Sequence, residues 1–142
     1  MVFFGEYLVS FTSGGRLVLP KKIRETIKGN QFILTKGFDE SLTGFNKEDW
    51  EERSKEFLTS SLINTENLEL RRIVFSGAVY IDLDEQGRFV LPKSLLQYLD
   101  INDQAVFVGV GDHFEIWTEK NWQQYLQKAQ KKIKIIDQDE NK

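Results

Sequence analysis

The chain has 142 residues, 40% hydrophobic and 29% charged, with 18 aromatics, no cysteine, one histidine and a net charge of −3. That length permits one ordinary domain or two very small ones, and the lack of cysteine excludes a disulfide frame and thiolate chemistry. No apolar run reaches the length that spans a bilayer, and Met1–Glu6 lacks the charged start and long apolar region of a signal peptide, so a soluble, cytoplasmic protein is expected.

In chain order, Glu6–Phe11 has the aromatic and β-branched content of a strand. Thr12-Ser13-Gly14-Gly15 is a turn whose glycines supply positive φ, and Arg16–Leu19 returns as a second strand, giving a hairpin. Pro20 suits the first position of a helix running to Ile27, with Ile23 and Ile27 on one face and Gly29 as its C′ residue. Gln31–Thr35 and Ser41–Phe45 are strands, the second weaker. Asn46 then caps a helix with Asp49 at N3, and Phe45 and Trp50 have the spacing of a hydrophobic staple. Glu51–Leu58 continues that helix, Thr59-Ser60-Ser61 breaks it, and Thr65 caps a further helix through Phe75.

The second half repeats the pattern. Val79–Leu83, the turn Asp84–Gly87 and Arg88–Leu91 form a hairpin, followed by Pro92 and a helix over Lys93–Leu99. Gln104–Val108 and His113–Trp117 are strands, and Thr118 caps a last helix from Asn121 to about Ile133, with Trp117 and Trp122 as the staple. The polar tail 137–142 is expected to be disordered. Lys131, Lys132 and Lys134, among isoleucines, read as a solvated helix end.

The repetition is explicit in one motif. Gly15-Arg16-Leu17-Val18-Leu19-Pro20-Lys21 returns as Gly87-Arg88-Phe89-Val90-Leu91-Pro92-Lys93, at an offset of 72. The same offset pairs Gly5 with Gly77, Asn30 with Asn102, Gly37 with Gly109 and Trp50 with Trp122. Residues 5–53 against 77–125 give ten identities, where unrelated sequence gives about three, so the chain is an internal duplication. Each copy is too small to bury a good core alone. The expected fold is therefore α+β, mainly β, with two pseudo-symmetric halves sharing one core. The expected divisions are a first repeat over 5–50, a helical connector over 51–76, a second repeat over 77–120, and a C-terminal helix and tail over 121–142.

Charge separates the copies. Residues 1–36 hold six Lys/Arg against two Asp/Glu, whereas residues 77–108 hold two against five.

A duplicated strand–turn–Gly-Arg–strand–Pro-Lys–helix unit resembles the MraZ family, built from two SpoVT/AbrB-like swapped-hairpin units. Arg71–Ala78 resembles the family's connector, and His113–Trp117 a segment near the end of its second copy. The resemblance covers roughly residues 3–127. It implies a swapped-hairpin β-barrel with short helices and a cytoplasmic, nucleoid-associated transcriptional regulator. It also implies binding to tandem direct repeats upstream of an operon for cell division and cell-wall synthesis, and a ring of identical subunits. The family's Asp-x-x-x-Arg signature stands as Asp84 and Arg88 in copy two, but as Thr12 and Arg16 in copy one. Thr12 brings no charge, so Arg16 is left less neutralised.

Arginine addresses phosphates and base-edge acceptors with a bidentate fork, and a two-stranded ribbon fits the major groove. The candidate DNA-binding residues are Arg16 first, then Lys21, Lys22 and Arg24, with Arg88 and Lys93 matching by motif in acidic surroundings. The basic copy is expected to face DNA and the acidic copy to serve folding and subunit contacts. No enzyme is expected: His113 has no motif-spaced nucleophile, and Asp82, Asp84 and Glu85 read as a solvated turn. No metal, cofactor, membrane or small-molecule substrate is implied. The alternative is an antitoxin-like or other protein-interaction module of AbrB fold, whose acidic stretch 37–76 would face a basic partner.

Overall fold

A computed structural model describes residues 2–12, 14–58 and 65–140. The first copy contributes β1 (Glu6–Ser10), β2 (Arg16–Val18), α1 (Lys21–Thr26), β3 (Gln31–Lys36), β4 (Leu42–Asn46) and α2 (Lys47–Leu58). After α3 (Thr65–Gly77), the second contributes β5 (Val79–Asp82), β6 (Arg88–Val90), α4 (Lys93–Leu99), β7 (Gln104–Gly109), β8 (Phe114–Trp117) and α5 (Glu119–Glu140). Ser13 and the expected break at Thr59–Ser61 lie outside the described residues.

Six strands form one sheet in the order β1-β7-β8-β4-β3-β5, and β2 pairs with β6 in a separate two-stranded sheet. Every pairing is antiparallel. The order reads the same from either end once the copies are exchanged, so the halves are related by a twofold axis. Two register pairs mark that axis: Leu17 opposes Phe89, and Thr43 opposes Glu115. In each pair the residues are repeat partners.

This pairing corrects the local reading in which each hairpin's two arms pair together, and it agrees with the duplicated, shared-core fold that the resemblance implies. Neither hairpin's arms form a ladder with each other: in the first, Thr12 makes an isolated bridge to Arg16, and in the second the Asp84 N–H donates to the Arg88 carbonyl at 3.0 Å. β1 instead pairs with β7, β5 with β3, and β2 with β6. Each copy completes the other's sheet, because a half of some fifty residues cannot bury its own apolar face. The shared core is continuous: Leu17, Phe32, Phe89, Phe107 and Phe114 belong to one cluster, and the Phe32 and Phe89 rings meet edge-on at 5.4 Å. On the sheet's outer face, α2 and α3 cover the first copy's strands and α5 covers β7.

The constant offset of 72 also needs correction. Phe11 N–H donates to the Asp103 carbonyl at 3.0 Å, and its repeat partner Leu83 donates to Asn30 at 2.8 Å, so Asn30 corresponds to Asp103 and not to Asn102. The burial patterns of β3 and β7 coincide at an offset of 73. The cause is compensating lengths: α4 is one residue longer than α1, and the β7–β8 turn is one residue shorter than the β3–β4 turn. The Gly37–Gly109 match is therefore not structural.

Local details differ as well. Pro20 and Pro92 occupy the N-cap, one residue before the expected helical position, and their carbonyls accept the first helical N–H groups. Ile27 is the C-cap of α1, so Gly29, at φ +76°, lies one residue beyond C′. Asn46 does not cap α2 with its side chain. It ends β4, its Oδ1 accepts the Lys28 N–H at 2.8 Å, and its Nδ2 donates to the Thr26 carbonyl at 3.0 Å, satisfying the end of α1. Thr118 does cap α5, accepting the Asn121 N–H at 3.1 Å. Both staples form, with Phe45–Trp50 centroids at 5.7 Å and Trp117–Trp122 at 5.3 Å. The helix α5 runs to Glu140, past the expected end and into the expected disordered tail, because no glycine or proline interrupts the sequence after Glu119.

Candidate nucleic-acid interface

The β2–β6 sheet is a ribbon with one strand from each copy. Strand residues alternate between faces, and residues directly opposed in an antiparallel pair share a face. Leu17 and Phe89, 0% and 2% exposed, therefore anchor one face in the core. Arg16, Val18, Arg88 and Val90 stand on the other. Arg16 opposes Val90 and Arg88 opposes Val18, so the two arginines lie on a diagonal, about 7–8 Å apart along the backbone. The fold thus brings the signature arginines of the basic and the acidic copy onto one solvent-facing surface. Val18 and Val90 share it and were not singled out from sequence, although the period-two alternation of Arg-Leu-Val and Arg-Phe-Val carries the signal.

The arginines differ in their partners. Arg88 Nε donates to Asp84 Oδ2 at 2.8 Å. Asp84 Oδ1 also accepts the backbone N–H groups of Arg88 at 2.8 Å and Gln86 at 2.9 Å. Those bonds, the Arg88 backbone N–H foremost, hold the Asp84 carboxyl below its ordinary range. Arg16 makes no ion pair among the described residues. Its turn is closed by the Thr12 N–H and hydroxyl, both donating to the Arg16 carbonyl, at 2.8 and 3.2 Å.

Lys21 and Lys93 are exposed at the first position of α1 and α4. Neither helix has an acidic residue in its first turn, and a cation there opposes the helix dipole, so local helix stability does not account for them. Lys22 pairs with Glu25 at 4.0 Å on the surface, a weak interaction. Arg24 lies on the turn that leads into β6: its Nη2 donates to the Glu85 carbonyl at 2.8 Å, in the opposite copy.

The one histidine sits in a packed cluster of side chains. His113 lies between Asp112 and Glu115, at 2.7 and 3.3 Å, with its ring 5.6 Å from that of Phe45. Arg53 pairs with Asp112, and Trp117 Nε1 donates to Glu115 at 3.0 Å. Among the described residues no three His, Asp or Glu side chains converge as metal ligands, and no helix is long and apolar enough to cross a membrane.

Comparison with known proteins agrees with this architecture. A family model described as "MraZ protein, putative antitoxin-like" matches twice, over residues 2–73 and 74–142. The chain is 36% identical over 125 residues to the transcriptional regulator MraZ of a Roseiflexus species, covering 88% of this chain and 87% of that protein. It is 37% identical, with the same coverage, to the transcriptional regulator MraZ of Roseiflexus castenholzii. With its two copies matched in turn and both relatives aligned over most of their length, the chain belongs to the MraZ family of transcriptional regulators.

Proposed function

We propose that the chain is a sequence-specific DNA-binding regulator that lays the β2–β6 ribbon into the major groove. The observation that carries this reading is the solvent face of that ribbon, where Arg16 and Arg88 stand beside Val18 and Val90 over a base of buried Leu17 and Phe89. A ribbon of this width fits the groove, arginine forks match guanine O6 and N7, and small apolar side chains suit thymine methyl groups. Lys21, Lys22 and Lys93 supply phosphate contacts that position the ribbon. Arg16, unpaired among the described residues, is the main reader, and Arg88, its Nε held by Asp84, contributes through the guanidinium N–H groups that this pairing leaves over. The working units are the repeats over 5–50 and 77–120, and the targets are tandem direct repeats upstream of a cell-division and cell-wall operon. One ribbon makes few contacts, so a ring of identical subunits on tandem repeats supplies the affinity through effective concentration. The place of action is the cytoplasm, on the nucleoid.

The test is binding to a DNA fragment carrying tandem repeats from the chain's own upstream region, titrated with salt. Steep loss of affinity with salt, and loss of binding in Arg16→Ala, support the reading. No binding at low salt, with the oligomer still assembled, would sink it.

A second reading, a module that holds a basic partner protein, draws on a groove of about 620 Å³ whose lining includes Glu40, Asp100, Asp103 and Glu119. A basic protein partner would then compete with nothing on the ribbon, and Arg16→Ala would leave its binding unchanged.

A further inference from the structure

The turn of the second hairpin is held by a side chain from the first copy. Arg24 reaches across 61 residues of sequence to donate from Nη2 to the Glu85 carbonyl at 2.8 Å. Its guanidinium also lies against Gly87, where an added Cβ would meet Nη1 at 2.8 Å and Cζ at 3.0 Å. On the same turn, Leu19 N–H donates to the Gly87 carbonyl at 2.9 Å. The chain entering α1 thus grips the turn at 85 and at 87. The repeat partner of Arg24 is Leu96, which packs against the core and offers no donor. Correspondingly, a Cβ at Gly15 would meet nothing within 4 Å. Among the described residues the brace is present in one direction only.

We propose that Arg24 is a positioning residue that clamps the second turn from the opposite repeat and so fixes the Asp84–Arg88 pair on the ribbon. It is not a phosphate contact. Its role follows from the guanidinium's shape: a planar fork can lie on a glycine and still aim one N–H at a neighbouring carbonyl, whereas an ammonium cannot do both. The functional consequence rests on the DNA-ribbon reading. DNA meets a fixed arginine at 88 and an adaptable one at 16, so base discrimination at the Arg88 position depends on a residue that touches no base.

The experiment uses the full-length chain and its Arg24→Ala and Arg24→Lys variants. Hydrogen exchange is measured at the amides of Gln86, Gly87 and Arg88, all of which donate to Asp84. In parallel, binding to the tandem-repeat duplex and to single-base variants of it is titrated with salt. The clamp predicts that both variants exchange these amides about tenfold faster, keep the wild-type exchange at Gly15, and lose discrimination among duplexes at an unchanged salt slope. A phosphate contact predicts the opposite: unchanged exchange, a slope shallower by about 0.9 in Arg24→Ala, and near wild-type behaviour in Arg24→Lys. That result would overturn the proposal. If the amides loosen in both variants but no protein, wild type included, binds the duplex, the clamp stands and the ribbon reading falls.

Discussion

The two hairpin turns share Gly-Arg at the same place and use it differently. The second turn is anchored by four bonds: Asp84 takes two backbone N–H groups and the Arg88 guanidinium, and Arg24 holds Glu85 from outside. The first turn, with Gly14 and Gly15 at φ of +81° and +72°, is closed by the Thr12 contacts to the Arg16 carbonyl and a 3.3 Å bond from Gly15 N–H to Thr12. Duplication gave both copies the same ribbon register, but the turn backbones differ: Gly14 and Gly15 both take positive φ, where only Gly87 does in the second turn. With that go two side-chain differences, Thr12 for Asp84 and Leu96 for Arg24, and an arginine with no ion pair among the described residues stands against a held one. The lesson is that within a symmetric scaffold the charge partners of a residue, and not its position, set what it is available to do.

The comparison is broken most directly by removing the arginines. Arg16→Ala should weaken binding to the tandem-repeat duplex by about 1–3 kcal/mol, the range of one bidentate base contact. Arg88→Ala should cost less, because Asp84 already takes the Nε–H and offsets part of the charge that would meet DNA. Parallel titrations at one salt concentration measure both, and equal losses would show that the Asp84 pairing is irrelevant to DNA. Next in size are the turn glycines. Gly15→Ala and Gly87→Ala each place a Cβ at positive φ, at a cost of about 1–2 kcal/mol. Only Gly87→Ala also displaces the Arg24 guanidinium, which adds about 1 kcal/mol for the lost bond to Glu85. Chemical denaturation of the two variants should therefore separate them; matching midpoints would show that the Arg24 contact contributes nothing.

A smaller effect converts one turn into the other. Thr12→Asp supplies the missing acceptor, and the variant should gain about 0.3–1 kcal/mol of stability, the scale of an exposed ion pair. The same change should weaken DNA binding severalfold, since Arg16 is then partly neutralised. A higher melting temperature with undiminished affinity would contradict the idea that a free Arg16 matters.

Much of this was legible in the sequence. The repeated Gly-Arg-x-Val-Leu-Pro-Lys motif reports the duplication, and the alternation around Leu17 and Phe89 reports which face is buried. Proline, glycine and staple positions placed most elements within a residue or two. What was not legible was partnership between the copies. A hairpin signal records a turn and two arms, and nothing local distinguishes arms that pair with each other from arms that pair with the other copy. The same limit hid Arg24, whose acceptor lies 61 residues away on a backbone carbonyl. It also hid Asn46, whose cap-like place before a helix is overridden by the open end of α1. The slip from 72 to 73 was masked because an added residue in α4 and a missing one in the next turn cancel.

The smallest effect, and the one that tests the electrostatics of the second turn alone, comes from acid. The Asp84 carboxyl is held below the ordinary aspartate range by the bonds it accepts, led by that from the Arg88 backbone. A depressed carboxylate contributes stability that is present above its unfolded value and is lost as pH falls through the lowered folded value. The second turn should therefore keep its structure down to about pH 4 and loosen below it, while the first turn, built on Thr12, shows no such transition. Amide exchange at Gln86 and Arg88, compared with Gly15 across that range and with Asp84→Asn as the control, reads this out. In the control the pH dependence should vanish, because an amide cannot gain the charge that Arg88 pairs with. If Gly15 loosens in step with Gln86, the acid response belongs to the whole fold and the contrast between the turns does not include their charge.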